Sequence, residues 1–232
     1  MTLPIIISLI AIYIGSTLVG IWFEWAAHSD KYKQYRIRTP EVNRITIKDR
    51  LLLSPFSTFC SLAFIATLLY FFGDRWVHHE GATVLTIFGE TLGVLLVYDF
   101  FYYWAHRTMH IPAIMKRIHA VHHKARFPTT VDSLFVNPIE NIIGLGALFL
   151  ALAIFSPVSV TSFLLIIFVH TFTNIMVHSN MVLPHPAFKL LNFWAIQHDV
   201  HHGVNLRQNY CNIFPYWDML FGTHRKEVAG NE

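Results

Sequence analysis

Two segments of this 232-residue chain carry the same pattern, His-x-x-His-His. The first is His119, His122 and His123; the second is His198, His201 and His202. Imidazole is a nitrogen ligand that is largely neutral at physiological pH, and on a helix positions i, i+3 and i+4 share one face. Each triplet is therefore read as three rings projecting together. His106 and His110 have the i, i+4 spacing in WAHRTMH, and His178 follows a long apolar run in VHSN. Nine rings are too many for one ion, since zinc takes about four ligands and other first-row ions rarely more than about six. The count points to two metal ions, one triplet to each, with His106, His110 and His178 completing or bridging the pair. Positions would remain open for water, oxygen or substrate. Few Asp or Glu lie nearby, which disfavours hard cations, whereas imidazole suits Fe, Zn, Cu or Ni.

The elements that must position these rings are apolar. The chain is 54% hydrophobic and only 13% charged, a balance that points to membrane residence. Fifteen histidines against seventeen Lys and Arg ask for a chemical reason, because an ionisable group in a membrane is costly. Apolar runs cover about residues 3–27, 51–72, 83–104, 139–155 and 158–178. The last two are joined by FSPVS and are short enough to form a hairpin that does not fully cross. No basic segment precedes the first run and no small-residue cleavage site follows it, so it reads as an uncleaved span. Lys31, Lys33, Arg36, Arg38, Arg44, Lys48 and Arg50 lie between the first two runs. Arg107, Lys116, Arg117, Lys124 and Arg126 follow the third, and Lys189, Arg207, Arg225 and Lys226 follow the fifth. With the N-terminus outside, all of these are cytoplasmic and only Arg75 lies opposite, as the positive-inside rule requires.

The expected fold is all-α: a multi-pass transmembrane helical bundle, one domain over residues 1–232. A histidine-rich cytoplasmic helical cap would form from residues 105–137 and 181–232. The expected location is a bacterial inner membrane or the endoplasmic reticulum. Neither a repeat of fixed period nor a flexible linker divides the chain. Cys60 and Cys211 read as small apolar filler. A net charge of +3 gives no sign of a nucleic-acid partner.

HRTMH, HAVHH, VHSN and HDVHH, in that order and spacing, resemble the fatty acid hydroxylase/sterol desaturase superfamily. The tail NYCNIFPYWDMLFGT resembles the family's segment after its last histidine box, and the likeness covers about Leu92 to Thr223. The resemblance implies a non-haem dimetal centre, usually diiron, that activates oxygen against a lipid C–H bond. The nine histidines match its ligand positions, and purified material can carry zinc instead. Two positions depart from the pattern. Asn174 stands where some members carry His, and is expected to reach a metal through water or to cap the site; Asn137 stands where others carry His-Pro. Hydroxylation and desaturation of a sterol or fatty acyl chain are both open. The alternatives are a carotenoid ring hydroxylase of the same chemistry and a membrane haem electron carrier, though the latter needs opposed single histidines within spans.

Metal-bound histidine usually passes its second N–H to a carboxylate or carbonyl, and Asp99, Glu140 and Asp199 are the candidate carboxylates. His170 lies in register with Asn174 and His178 but about 12 Å deeper than His178 at 1.5 Å per residue, which suits a polar contact in the bundle or with a substrate head group. His78 and His79 fall on the opposite side, and His28, His185 and His224 have no partner spacing. Phe100, Phe101, Tyr102, Tyr103 and Trp104 form either a substrate wall or an interfacial belt. No nucleotide-binding glycine pattern is present, so electrons are expected from a separate donor, ferredoxin-, cytochrome b5- or reductase-like. The basic loop from Lys31 to Arg50 would face such a donor or anionic lipid head groups, the latter being the simpler expectation.

Overall fold

Apolar backbone crossing a bilayer must satisfy its hydrogen bonds internally, which a helix does. The computed structural model describes residues 2–39, 45–126, 128–203 and 205–225, and long helices dominate it. Arg44 and Lys226 of the basic set lie outside the described residues. Helix α1 spans Leu3–His28, α2 Ile47–Trp76 and α3 Val84–Met109. Short α4, Pro112–Met115, precedes α5, Pro138–Phe155, and α6, Val160–Met176. Helix α7 is Lys189–His201 and α8 is Tyr216–Leu220. By length and composition α1, α2, α3 and α5 can each cross a membrane. Helix α6 has 17 residues. At 1.5 Å per residue it reaches about 26 Å, less than the roughly 30 Å hydrocarbon core.

Three expectations are revised. Hydropathy ends the third span at residue 104, yet α3 continues to Met109 because no Pro or Gly interrupts it before Pro112. His106 therefore stands on α3, not in the cap, and His110 is the residue that closes the helix. The segment expected as a cap, residues 105–137 with 181–232, is less helical than foreseen among its described residues. Besides α7 and two short helices it is made of 3-10 turns at His119–Lys124, Thr130–Leu134 and Pro186–Phe188. Asn137 is the N-cap of α5, its side chain accepting from the Ile139 amide at 2.9 Å, a role that needs no metal.

Helix α3 packs on α5 and α6, α1 on α6, and α2 on α5. Two close approaches depend on glycine. A Cβ at Gly93 of α3 would sit 2.5 Å from the Phe155 ring at the end of α5, and one at Gly20 of α1 would sit 2.8 Å from Ile175 of α6. Among the described residues, α1 and α2 share no packed face of comparable extent. Strands β1, Val77–His78, and β2, Val158–Ser159, pair in parallel and tie the end of α2 to the α5–α6 turn.

At the other end of the helices, the segment after α1 is stitched to the segment after α6. Arg36 and Met181 form an antiparallel bridge, and the Val182 amide donates to the Tyr35 carbonyl at 2.8 Å. Asn180 adopts φ 53°, a left-handed conformation that asparagine tolerates, and its side chain bonds both the amide and the carbonyl of Arg38. Arg38 then reaches Asp199 on α7 at 2.8 Å. This holds α7 against the chain that leaves α1.

Candidate metal centre

The end of α3, the turn after α6, helix α7 and the His119–Lys124 turn bring the nine rings together in two groups. One group is His106, His110, His119, His123 and His201; the other is His122, His178, His198 and His202. Within each, one nitrogen per residue lies within 4.8 Å of all the others. The division cuts across the triplets. On α7, His198 and His202 bring their Nε2 atoms within 3.0 Å in the four-ring group. His201 turns to the five-ring group, its Nε2 3.1 Å from that of His123. The first triplet does the reverse: His119 and His123 meet at 3.0 Å in the five-ring group, and His122 crosses to within 3.0 Å of His202. Assigning one triplet to each ion is therefore corrected. Around α7, i+3 and i+4 fall about 60° and about 40° to opposite sides of position i; the first triplet, in a 3-10 turn, divides the same way without that geometry. Each triplet gives an i, i+4 pair to one group and its i+3 ring to the other.

The chemistry of the rings fits metal. His106, His201 and His202 donate Nδ1–H to the carbonyls of Tyr210, Gln208 and Ala125, each at 2.8 Å, and His178 donates to the Asn174 carbonyl at 3.0 Å. A carbonyl only accepts, so these bonds fix the tautomer with a bare lone pair on Nε2. The Nε2 atoms then face one another, at 3.0 Å for His106 and His119, 2.9 Å for His178 and His198, and 3.4 Å for His122 and His178. The four rings whose tautomer is fixed point a lone pair into the groups, where a metal cation would accept it. Two metal–nitrogen bonds of about 2.0–2.1 Å at a right angle place their nitrogens about 3.0 Å apart. Burial pushes the His201 ring down to about 4, and burial with His201 and His119 beside it pushes His110 down to about 2. Both rings are therefore neutral donors at neutral pH.

Of the expected supporting residues, one meets a ring through its side chain. Glu140 Oε1 lies 2.9 Å from His119 Nδ1, an ion-pair contact without hydrogen-bond geometry. Asp99 touches none of the nine. Its carboxylate accepts from the amides of Asn212, Ile213 and Phe214, so it holds the segment after α7 against α3. Asp199 is taken by Arg38. The Asn174 side chain bonds His170, while its carbonyl orients His178, so its contact with the site is through backbone. His170 is buried and packs edge-on against Tyr98 at 5.0 Å. The carbonyls of Tyr210, Gln208 and Ala125 have no signature in side-chain spacing, because any residue carries one. Asp218 was also missed: it accepts from the Tyr210 and Cys211 amides, each at 2.8 Å, and so fixes the carbonyl that holds His106.

A cavity of about 310 Å³ runs from the rings of His122, His178 and His198 into the space between α1 and α2. All three belong to the four-ring group. Its far walls include Tyr13 and Ile21 of α1 and Leu62 and Ile65 of α2. Of the aromatic run in α3, only Tyr102 lines it. Phe100 packs on Trp217 and Tyr103 on Phe221, so most of that run anchors α8 and its neighbours. His78 sits in β1 at the opposite end, His28 bonds Glu24, and His185 caps the Pro186–Phe188 turn. None of these, nor His79 or His224, belongs to either group.

A family model described as fatty acid hydroxylase matches residues 91–223, a stretch that contains all nine rings. The chain is 28% identical to methylsterol monooxygenase 1 of Gallus gallus over 75% of this chain and 60% of that protein. It is 34% identical to a putative methylsterol monooxygenase of Dictyostelium discoideum over 56% of this chain and 49% of the other. Methylsterol monooxygenase 1 of Danio rerio is 27% identical over 91% of this chain and 74% of its own length. The chain thus spans about half to three-fifths of the first two of these relatives. No solved structure matches it.

Proposed function

This chain belongs to the fatty acid hydroxylase family, and from that membership we propose that it is a membrane-bound, non-haem dimetal oxygenase acting on a sterol-like lipid. The observation that carries this reading is the pair of five- and four-ring groups with an apolar cavity ending on one of them. The nine histidines are its ligands, and iron is the proposed metal. The bound metal pair supplies two-electron activation of O2, so that a lipid C–H, O2, two electrons and two protons give an alcohol and water. The names of the relatives favour hydroxylation of a sterol methyl group over desaturation, and do not favour carotenoid hydroxylation or a haem carrier.

The chain's own residues hold and orient. Carbonyls of Tyr210, Gln208, Ala125 and Asn174 lock the ring tautomers, and the Glu140 carboxylate sits beside His119 Nδ1 at 2.9 Å. The cavity walls exclude water and present the reacting carbon to His122, His178 and His198. His170, Asn174, Asn212 and Tyr98 form a polar strip along the cavity, linked by bonds from Asn174 to His170 and from Asn212 to Tyr98. That strip suits the hydroxyl of a sterol. The gap between α1 and α2 is the proposed lateral entry from the bilayer. We place the N-terminus outside and the rings at the cytoplasmic face of the endoplasmic reticulum or a bacterial inner membrane, in one domain. Electrons come from a separate donor.

The test is direct. Iron-loaded protein in detergent, supplied with a methylsterol, a reductase system and isotopically labelled O2, should form a labelled alcohol with about two ions bound per chain. Two bound ions without label in any lipid product would remove the proposal.

A further inference from the structure

The five-ring group does not line the cavity; it faces a ladder of aromatic rings. Tyr210 lies 5.2 Å from His110, 5.7 Å from His106 and 5.9 Å from His201, measured between ring centres. Tyr103, fully buried on α3, is 5.8 Å from Tyr210. Trp104 is 5.3 Å beyond Tyr103 and 41% exposed. The ladder thus connects the metal-side rings to the protein surface in three aromatic steps.

The middle rung is equipped to lose an electron. A phenol gives one up readily only if its proton leaves too. The Tyr103 hydroxyl is 3.3 Å from Thr223 Oγ1, which in turn donates to Asp218 Oδ1 at 2.7 Å. Asp218 is buried and provides the proton's destination. Arg107 donates from Nη1 to the Tyr103 oxygen at 2.8 Å, which occupies an acceptor site there and leaves the phenolic O–H to point at Thr223. Tyr102 makes the contrast. Its ring is 5.3 Å from His106, but among the described residues no bond is recorded for its hydroxyl, so it has no proton route.

We propose that Tyr103 is a redox-active tyrosine that drains oxidising equivalents from the metal centre, through Tyr210 and out to Trp104, when no lipid is in the cavity. The proposal rests on the oxygenase reading. In the step, Tyr103 loses one electron and its phenolic proton. The electron passes through Tyr210 to the oxidised centre, and the proton passes to Thr223 as the Thr223 proton moves to Asp218. A soluble reductant such as a thiol or ascorbate restores the electron at exposed Trp104. The ladder would spare the histidine ligands from oxidation.

The experiment is rapid-freeze electron paramagnetic resonance on iron-loaded, lipid-free protein mixed with hydrogen peroxide, which supplies the oxidant without any electron donor. Wild type should give a tyrosyl radical that Tyr103→Phe loses and Tyr102→Phe keeps. Metal content and melting temperature of Tyr103→Phe should match wild type. If that variant fails to fold, Thr223→Val keeps the phenol but cuts its proton route, and it too should lose the radical. No tyrosyl radical in wild type, or one that survives Tyr103→Phe or disappears in Tyr102→Phe, overturns the proposal. Lipid hydroxylation measured on the same preparations separates the two readings: product without radical sinks only the ladder, and radical without product sinks only the lipid reading.

Discussion

The five-ring and four-ring groups are made from the same residue at the same spacings, yet their surroundings differ. The five-ring group faces away from the cavity: Glu140 lies beside His119, the carbonyls of Tyr210 and Gln208 hold His106 and His201, and none of its five rings lines the cavity, though His110 and His123 are half-buried. The four-ring group has one ligand fewer and puts three rings at the cavity end. A closed coordination sphere suits a structural or electron-storing ion, and an open one suits the ion that meets substrate. The difference teaches that ring count and access, more than ligand type, would divide the labour of the two proposed metal ions.

Breaking the open side should have the largest effect. His198→Ala is expected to abolish product formation and lose about half of the bound metal, the part held by the four-ring group, as read by metal analysis beside the lipid assay. Full turnover in that variant would erase the contrast between the two groups.

Acid should act on both groups in the metal-free protein. Burial holds His178 and His201 at about 4 against an ordinary 6.5. Between those values the unfolded chain binds more protons than the folded one, so stability falls as pH falls through that window. Each such ring adds up to about 1.4 kcal/mol per pH unit to the slope. Melting of metal-free protein from neutral pH down to pH about 4 measures it; a flat profile would mean the rings are not buried neutral.

Glu140 sharpens the closed side. Removing a carboxylate behind a metal-bound histidine typically costs about 10–100-fold in metal affinity. Glu140→Ala should show that loss at the five-ring group while Glu140→Gln, which keeps an oxygen beside His119 Nδ1, retains more. Titration with a competing chelator would read it, and equal loss from both variants would show that charge alone matters. The smallest effect belongs to the cavity wall. Ile65→Trp should raise the KM for lipid several-fold and leave metal content untouched; an unchanged KM would place the substrate elsewhere.

Much of the site was legible in advance because metal ligation needs particular side chains. His106, His110, His119, His122, His123, His178, His198, His201 and His202 are the rings that the fold gathers. Glu140 was also readable, as a lone carboxylate in the first turn of an apolar helix. Asp99 and Asp199 misled for one reason: sequence separation places a carboxylate near a histidine but does not say which donor reaches it first. Three backbone amides reach Asp99, and Arg38, 161 residues from its partner, reaches Asp199.

The sequence by itself determined the long apolar helices and the supply of nitrogen donors, because hydropathy and residue type are local properties. Only the tertiary structure decided how the triplets divide between two groups, which group opens onto the cavity, and which carbonyls lock the rings. Those outcomes depend on the placement of α7 against the His119–Lys124 turn and on the cavity that opens between α1 and α2. Both are set by long-range contacts, among them the Gly20–Ile175 approach and the Arg38–Asp199 pair, that no short window of sequence contains.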